Sequence, residues 1–204
     1  MQKFVLITLS IICFFSCSKA QETASEKKES LKDKKVLIVY LSRTKNTKAV
    51  AEMIHQKVGG DLVELKLQKP YPEDYKAIVD QVAKENETGF LPSLKTKIEN
   101  IEKYDVIFLG FPTWGMQLPP PMKSFLKQND LKGKTIIPFN TNAGYGIGSS
   151  FETVKELSPE SEILEGFTMK GGVERDGILF VMEGKKKIEA EKKVKEWLQK
   201  INLK

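Results

Sequence analysis

From Lys34 onward, short β-branched runs alternate with amphipathic stretches, which predicts an α/β chain: a doubly wound three-layer sandwich around a five-stranded parallel sheet. Length agrees, because 204 residues make one domain large enough to bury a core without disulfides or a structural metal. Cysteine usage agrees as well. Cys13 and Cys17 both precede the folded part and there is one histidine, so neither a disulfide scaffold nor a Cys/His zinc site can form in the body.

The elements follow in order. Val36 to Tyr40 is β-branched and too short for a helix, so it is the first strand. Val50, Met53, Ile54 and Val58 recur at helical spacing and stop at Gly59-Gly60. Leu62 to Leu67 alternates as an edge strand does. Tyr75, Ile78, Val79 and Val82 give a second helical face, opened by Pro72 and by Glu73 and Asp74 as first-turn acids. Val106 to Gly110 reads as a buried strand, Met122 to Lys127 as a short helix after a Pro-rich loop, and Thr135 to Asn140 as the fourth strand. Ser150 to Leu157 is a helix, Ile163 to Thr168 the fifth strand, and Ala190, Val194, Trp197, Leu198 and Ile201 line the last helix. Residues 169–184, with Gly171-Gly172 and a strand-like Ile178 to Met182, have no firm assignment beyond an extension beside strand five.

The formal net charge is +6. Residues 34–182 hold twenty basic against nineteen acidic residues, while residues 183–204 hold eight lysines against four acids. The excess therefore belongs to the solvated side of one terminal helix, and no nucleic-acid partner is expected. His55 lies mid-helix with no Ser or Cys nucleophile to serve, so no catalytic residue and no metal site are assigned.

At the N-terminus, residues 4–15 form a twelve-residue, mostly apolar run after Lys3, too short to span a bilayer, where about 20 residues are needed. This is the core of a signal peptide, 1–16. Two processing readings compete: Phe14-Phe15-Ser16-Cys17 resembles a relaxed bacterial lipobox with Cys17 acylated, and Ser18-Lys19-Ala20 resembles a peptidase site that would release a soluble protein. The first is favoured, because a small residue directly before a Cys closes the apolar run. Residues 17–33 then form a polar tether, and 34–204 the domain. The expected place is the envelope of a Gram-negative-type bacterium, anchored to a membrane, with a secreted or periplasmic form as the alternative.

In open parallel sheets ligands sit beyond the carboxyl ends of the strands, which points to loops 41–47, 111–119 and 140–149. In the first, Ser42, Arg43, Thr44, Lys45, Asn46 and Thr47 gather three hydroxyls and an amide at a helix N-terminus, where free N–H groups favour a phosphate. A plain Ser/Thr/Asn helix cap is the alternative. The spacing Ser42-x-Thr44-x-Asn46-Thr47 resembles the phosphate loop of flavodoxins, (S/T)-x-T-G-N-T, with Lys45 where the family has Gly. The second loop, beginning Pro112-Thr113-Trp114-Gly115-Met116, is similar to the flavodoxin and quinone-reductase loop that meets the flavin ring. Its alternative reading makes Trp114 a lid over the Pro-rich turn. In the third, Thr141, Gly144 and Gly146 match the corresponding flavin loop, with Asn142 and Tyr145 as further candidates. Gly144-x-Gly146-x-Gly148 is not a dinucleotide fingerprint, since Ser149 follows and the loop is not after strand one. Gly133-Lys134-Thr135 is not a P-loop, since Gln128 stands where Gly is needed. Pro70-Tyr71-Pro72-Glu73-Asp74-Tyr75 resembles a stretch of one flavodoxin-like subgroup.

The resemblance implies strand order 2-1-3-4-5, FMN as noncovalent cofactor, phosphate at residues 42–47, and ring contacts from Thr113, Trp114, Gly115 and Met116, with Trp114 stacking. It implies a membrane-tethered electron carrier between redox partner proteins. Two alternatives stay open: an NAD(P)H-dependent quinone or flavin reductase, and a flavin-free binding lipoprotein on the same fold, for which the Lys45 departure is the main support.

Overall fold

The computed structural model describes residues 31–201, so the expected signal peptide, Cys17 and most of the expected tether lie outside the described residues. Six strands, β1 (Val36–Tyr40), β2 (Asp61–Glu64), β3 (Val106–Pro112), β4 (Thr135–Asn142), β5 (Glu162–Ile163) and β6 (Phe167–Lys170), form one parallel sheet. Its order is β2-β1-β3-β4-β5, with β6 also paired to β4. Five helices cover it: α1 (Asn46–Val58), α2 (Tyr75–Thr88), α3 (Pro120–Gln128), α4 (Ser150–Leu157) and α5 (Gly184–Lys200).

Side chains on a strand alternate between faces, and the central strands are apolar on both. Val36, Ile38, Tyr40, Val106, Phe108, Ile137 and Phe139 pack against Val50, Met53 and Ile54 of α1 and Ala190, Val194, Trp197 and Leu198 of α5. Leu37, Val39, Ile107, Leu109, Phe111 and Ile136 pack against Met122, Phe125 and Leu126 of α3 and Val154 of α4. The three layers expected from the sequence are present. Leu31 already packs against the first of these clusters from a short 3-10 turn, Leu31–Asp33, so ordered structure starts inside the stretch read as tether.

The expected fifth strand, Ile163 to Thr168, is two strands. The cause lies in its neighbour. Thr135 N–H bonds toward β3, at Asp105 O, whereas Ile136 O accepts from Leu164 on the outer side. By alternation the N–H of residue 138 would also point outward, but Pro138 has none. The outer strand detaches there and resumes at Phe167, and Gly166 permits it: a Cβ at that position would lie 2.8 Å from Pro138 O and 2.4 Å from the Phe151 ring. Ile178 to Met182 is not a strand either; one bridge, Val173 to Ile178, closes a loop. β2 ends at Glu64, short of Leu67, and β4 runs on to Asn142. Asp74 does not sit in the first turn of α2 but caps it, its carboxylate accepting from Ala77 N–H at 2.8 Å.

Three tyrosines make the fold sensitive to alkali. Burial pushes the Tyr40 phenol up to about 12, with Glu64 and Glu52 adding to it. Tyr71 and Tyr104 are also raised, again chiefly by burial, and then by hydrogen bonds to Glu85 and Asp61. A phenol whose folded pKa exceeds the unfolded value of about 10 contributes stability that is complete below pH 10 and is lost as pH rises through the folded value. Stability is therefore expected to fall between pH 10 and 12, with phenolate absorbance at 295 nm from these three rings appearing together with loss of far-ultraviolet circular dichroism. Their ionisation with the fold intact would contradict this.

Candidate functional site

At the carboxyl ends of β1, β3 and β4 lies a cavity of about 660 Å³. It reaches Arg43, Thr44, Asn46 and Thr47 from the first loop, Pro112 to Gln117 from the second, and Thr141, Asn142, Ala143, Tyr145 and Gly146 from the third. The structure thus gathers most of the expected residues on one wall, and leaves Ser42, Lys45 and Gly144 off it.

The first loop departs from the expected division of labour. Lys45 takes left-handed backbone, φ 65° and ψ −3°, as the Gly it replaces would. That reversal turns successive N–H groups to one side, the geometry of an anion nest. The backbone N–H groups of residues 44–47 find no acceptor among the described residues, and the positive end of α1 lies behind them. Thr44 Oγ1 accepts from Asn46 Nδ2 at 2.8 Å, which leaves its own hydrogen to donate. A phosphate fits this donor set.

Three neighbours serve the frame instead. Ser42 Oγ accepts from Lys48 N–H at 3.2 Å and so caps α1. Asn46, 2% exposed, spends its amide on the protein: Nδ2 also donates to Leu179 O at 2.6 Å, and Oδ1 accepts from Val181 N–H at 3.1 Å. Arg43 binds across the loop, Nε with Glu174 Oε1, Nη1 with Pro72 O and Nη2 with Glu73 O. Glu174 pairs with its charge, and with these three bonds Arg43 clasps segments 72–73 and 174 to the loop while two of its five N–H donors stay without acceptors among the described residues. Thr47 and Thr141 share a buried hydroxyl hydrogen bond of 2.9 Å that ties the first loop to the third.

In the second loop, Trp114 and Gln117 exchange backbone hydrogen bonds around Gly115 and Met116, both at positive φ, 57° and 59°. Two positive φ angles make a tight turn of the hairpin kind, and the N–H groups of Gly115 and Met116 stay without acceptors among the described residues. They are a second set of free donors on the cavity. Trp114 is half-buried, its ring edge-on to Tyr71 at 5.3 Å, and Tyr71 O–H donates to buried Glu85. Trp114 thus packs on Tyr71 and lines the cavity, a placement that suits both the lid reading and the ring-contact reading.

In the third loop Asn142 Oδ1 accepts from the N–H of Gly144, 2.8 Å, and of Gly146, 3.3 Å, which shapes the turn. Gly146 O accepts from Thr113 Oγ1. Tyr145 is 66% exposed on the cavity rim, with Arg175 Nη2 donating to its hydroxyl.

Two walls were not foreseen as part of the site. One is the α2 face from Tyr75 to Glu87; the other is Gly171 to Arg175, which includes the paired glycines after β6. Tyr71 to Tyr75, which the sequence reading did not place at the site, carries the segment that Arg43 holds and the ring that meets Trp114. Among the described residues no cluster of His, Cys, Asp or Glu could hold a metal ion.

A family model described as flavodoxin matches residues 35–201. Among solved structures, a protein from Bacteroides eggerthii DSM 20697 assigned as a flavoprotein is similar at 31% identity and TM-score 0.68, over 84% of this chain and 100% of that one. A second protein so assigned, from Bacteroides uniformis ATCC 8492, is 24% identical with TM-score 0.67, over 81% and 98%. A flavoprotein from Lactobacillus acidophilus NCFM, solved in complex with FMN, shares the fold at 22% identity and TM-score 0.61, over 66% and 93%. No curated protein matches.

Proposed function

The chain belongs to the flavodoxin family, and from that premise we propose that it binds FMN noncovalently and passes electrons between redox partners from a membrane-tethered position. The observation that carries the reading is the pair of unengaged donor sets on one cavity wall: N–H groups of 44–47 for a phosphate, and those of Gly115 and Met116 for the polar edge of a ring.

Bound FMN supplies the electron chemistry, and the protein supplies binding and electrostatics. The Thr44 hydroxyl and the α1 N-terminus hold the phosphate with dipoles and donors, with Arg43 already neutralised by Glu174. Trp114 and Tyr145 line the cavity beside these loops and would offer aromatic faces to the ring. No acid or base from the chain is assigned a proton.

The test is expression of residues 18–204. A yellow protein that releases FMN on denaturation is the expected result; a colourless product that takes up no added FMN would sink the redox reading. A second reading, an NAD(P)H-dependent quinone or flavin reductase, is favoured by the extension of the cavity along α2, which gives room beside the flavin loops. Steady consumption of nicotinamide with a quinone by the purified protein separates it from a pure carrier. The flavin-free alternative loses its main support, because Lys45 adopts the backbone of the glycine it replaces. Tethering through acylated Cys17 predicts that a Cys17→Ala variant leaves the membrane fraction; a variant that stays there refutes it.

A further inference from the structure

Beyond the three loops the cavity follows one side of α2, where Tyr75, Ile78, Val79, Val82 and Ala83 form an apolar wall. Tyr75 and Val79 are 40% and 45% exposed, apolar area that an apolar molecule would take out of water. At the far end stand two amides, Asn86 and Gln117, both on the cavity. Behind them is Lys123 of α3, half-buried and in no ion pair among the described residues; its Nζ donates to Asn86 Oδ1 at 2.9 Å and to Gln117 Oε1 at 3.3 Å.

An ammonium can only donate. It therefore fixes both amides with their oxygens toward α3 and their NH2 groups turned away from it. Neither Asn86 Nδ2 nor Gln117 Nε2 has an acceptor among the described residues. Asn86 Nδ2 faces the second loop, 3.9 Å from where a Gly115 Cβ would stand. Burial lowers the Lys123 pKa, since no carboxylate answers its charge. An apolar wall that ends in two fixed amide donors backed by an uncompensated cation is built for an apolar molecule with an acceptor oxygen at one end.

We infer that this end of the cavity is a second binding site, which takes an apolar molecule presenting a carbonyl oxygen to the amides of Asn86 and Gln117. It deepens the redox reading and rests on it in one respect, that such a molecule would be the electron acceptor. A ring carbonyl of the flavin itself offers the same chemistry, so the experiment separates the two sources.

The probes are duroquinone and durene, which share the tetramethylated ring and differ in the two oxygens, each titrated into full-length, FMN-loaded protein while the side-chain NH2 signals of Asn86 and Gln117 are followed by NMR. Duroquinone is expected to shift both signals and to bind about tenfold more tightly than durene, the worth of one to two hydrogen bonds. Asn86→Asp pairs with Lys123, removes one of the two donors and should weaken duroquinone severalfold while durene is unchanged, so unchanged duroquinone binding by it overturns the proposal; Lys123→Met, which keeps both donors but frees the amides to turn, should weaken duroquinone by less. Equal binding of the two probes overturns the proposal. So do amide signals that FMN alone moves and duroquinone does not, since the flavin then fills the place. A protein that binds duroquinone in the expected way yet takes up no FMN would keep this site and overturn the redox reading, so the two failures differ.

Discussion

Trp197→Ala is expected to cost about 3–5 kcal/mol of stability, as large-to-small aromatic changes in a core do. Trp197 is 7% exposed and lies between two rings of the sheet, 6.1 Å from Phe108 and 5.2 Å from Phe167. Its indole N–H donates to Glu165 O at 2.9 Å, at the break between β5 and β6. Removal opens a cavity between α5 and the sheet and leaves the carbonyl unmet at the weakest part of the edge. At roughly 2–4 °C per kcal/mol for a chain of this size, thermal unfolding should move down by about 6–20 °C. Trp197→Phe, which keeps most of the volume and loses the N–H, should recover more than half of the loss. A loss below about 1 kcal/mol for the alanine variant would show that α5 is not essential to the core.

Thr44→Asp is expected to separate stability from binding, with opposite signs. A carboxylate at the start of α1 meets the free N–H groups of 44–47 and the positive helix end, which is worth about 0.3–1 kcal/mol to the fold. It can still accept from Asn46 Nδ2, as Thr44 Oγ1 does. For a phosphate dianion the same charge is repulsive, on the order of 4 kcal/mol for one pair of unit charges 4 Å apart at the dielectric of a protein surface. FMN affinity should therefore fall by at least about 100-fold, equivalent to some 2.7 kcal/mol, while the melting temperature holds or rises, and riboflavin, which lacks the phosphate, should bind the variant and the parent protein about equally. Unchanged FMN binding by this variant would mean that the phosphate lies elsewhere. The measurements are a flavin fluorescence titration and a melt of the same sample.

Much of the site was legible because loops after parallel strands have one place to go. Thr44, Thr113 and Trp114 reach the cavity for that reason, whatever their individual contacts. The roles inside the loop were less legible. Asn46 and Arg43 carry the residue types that bind phosphate, yet their partners Leu179, Val181, Glu174, Pro72 and Glu73 lie 29 to 135 residues away, and no spacing rule within the motif announces them. The α2 wall was missed for a related reason. Tyr75, Ile78, Val79 and Val82 form an apolar face at helical period, and period alone cannot tell a face pressed on a core from one left beside a cavity.

The amino-acid order alone determined the alternation of strands and helices, the buried character of β1, β3 and β4, and the three loops at which a ligand can sit, since these follow from local period, turn residues and the parallel sheet they compel. It also determined that the positive charge belongs to the last helix. Only the tertiary structure decided which polar groups remain free. Donors are consumed by acceptors brought from distant segments, so Ser42, Arg43 and the Asn46 amide went to the frame, the backbone of 44–47, Gly115 and Met116 stayed available, and Lys123 came to stand behind two amides. The split of the fifth strand has the same origin, for the missing N–H of Pro138 matters only to the strand that lies beside it.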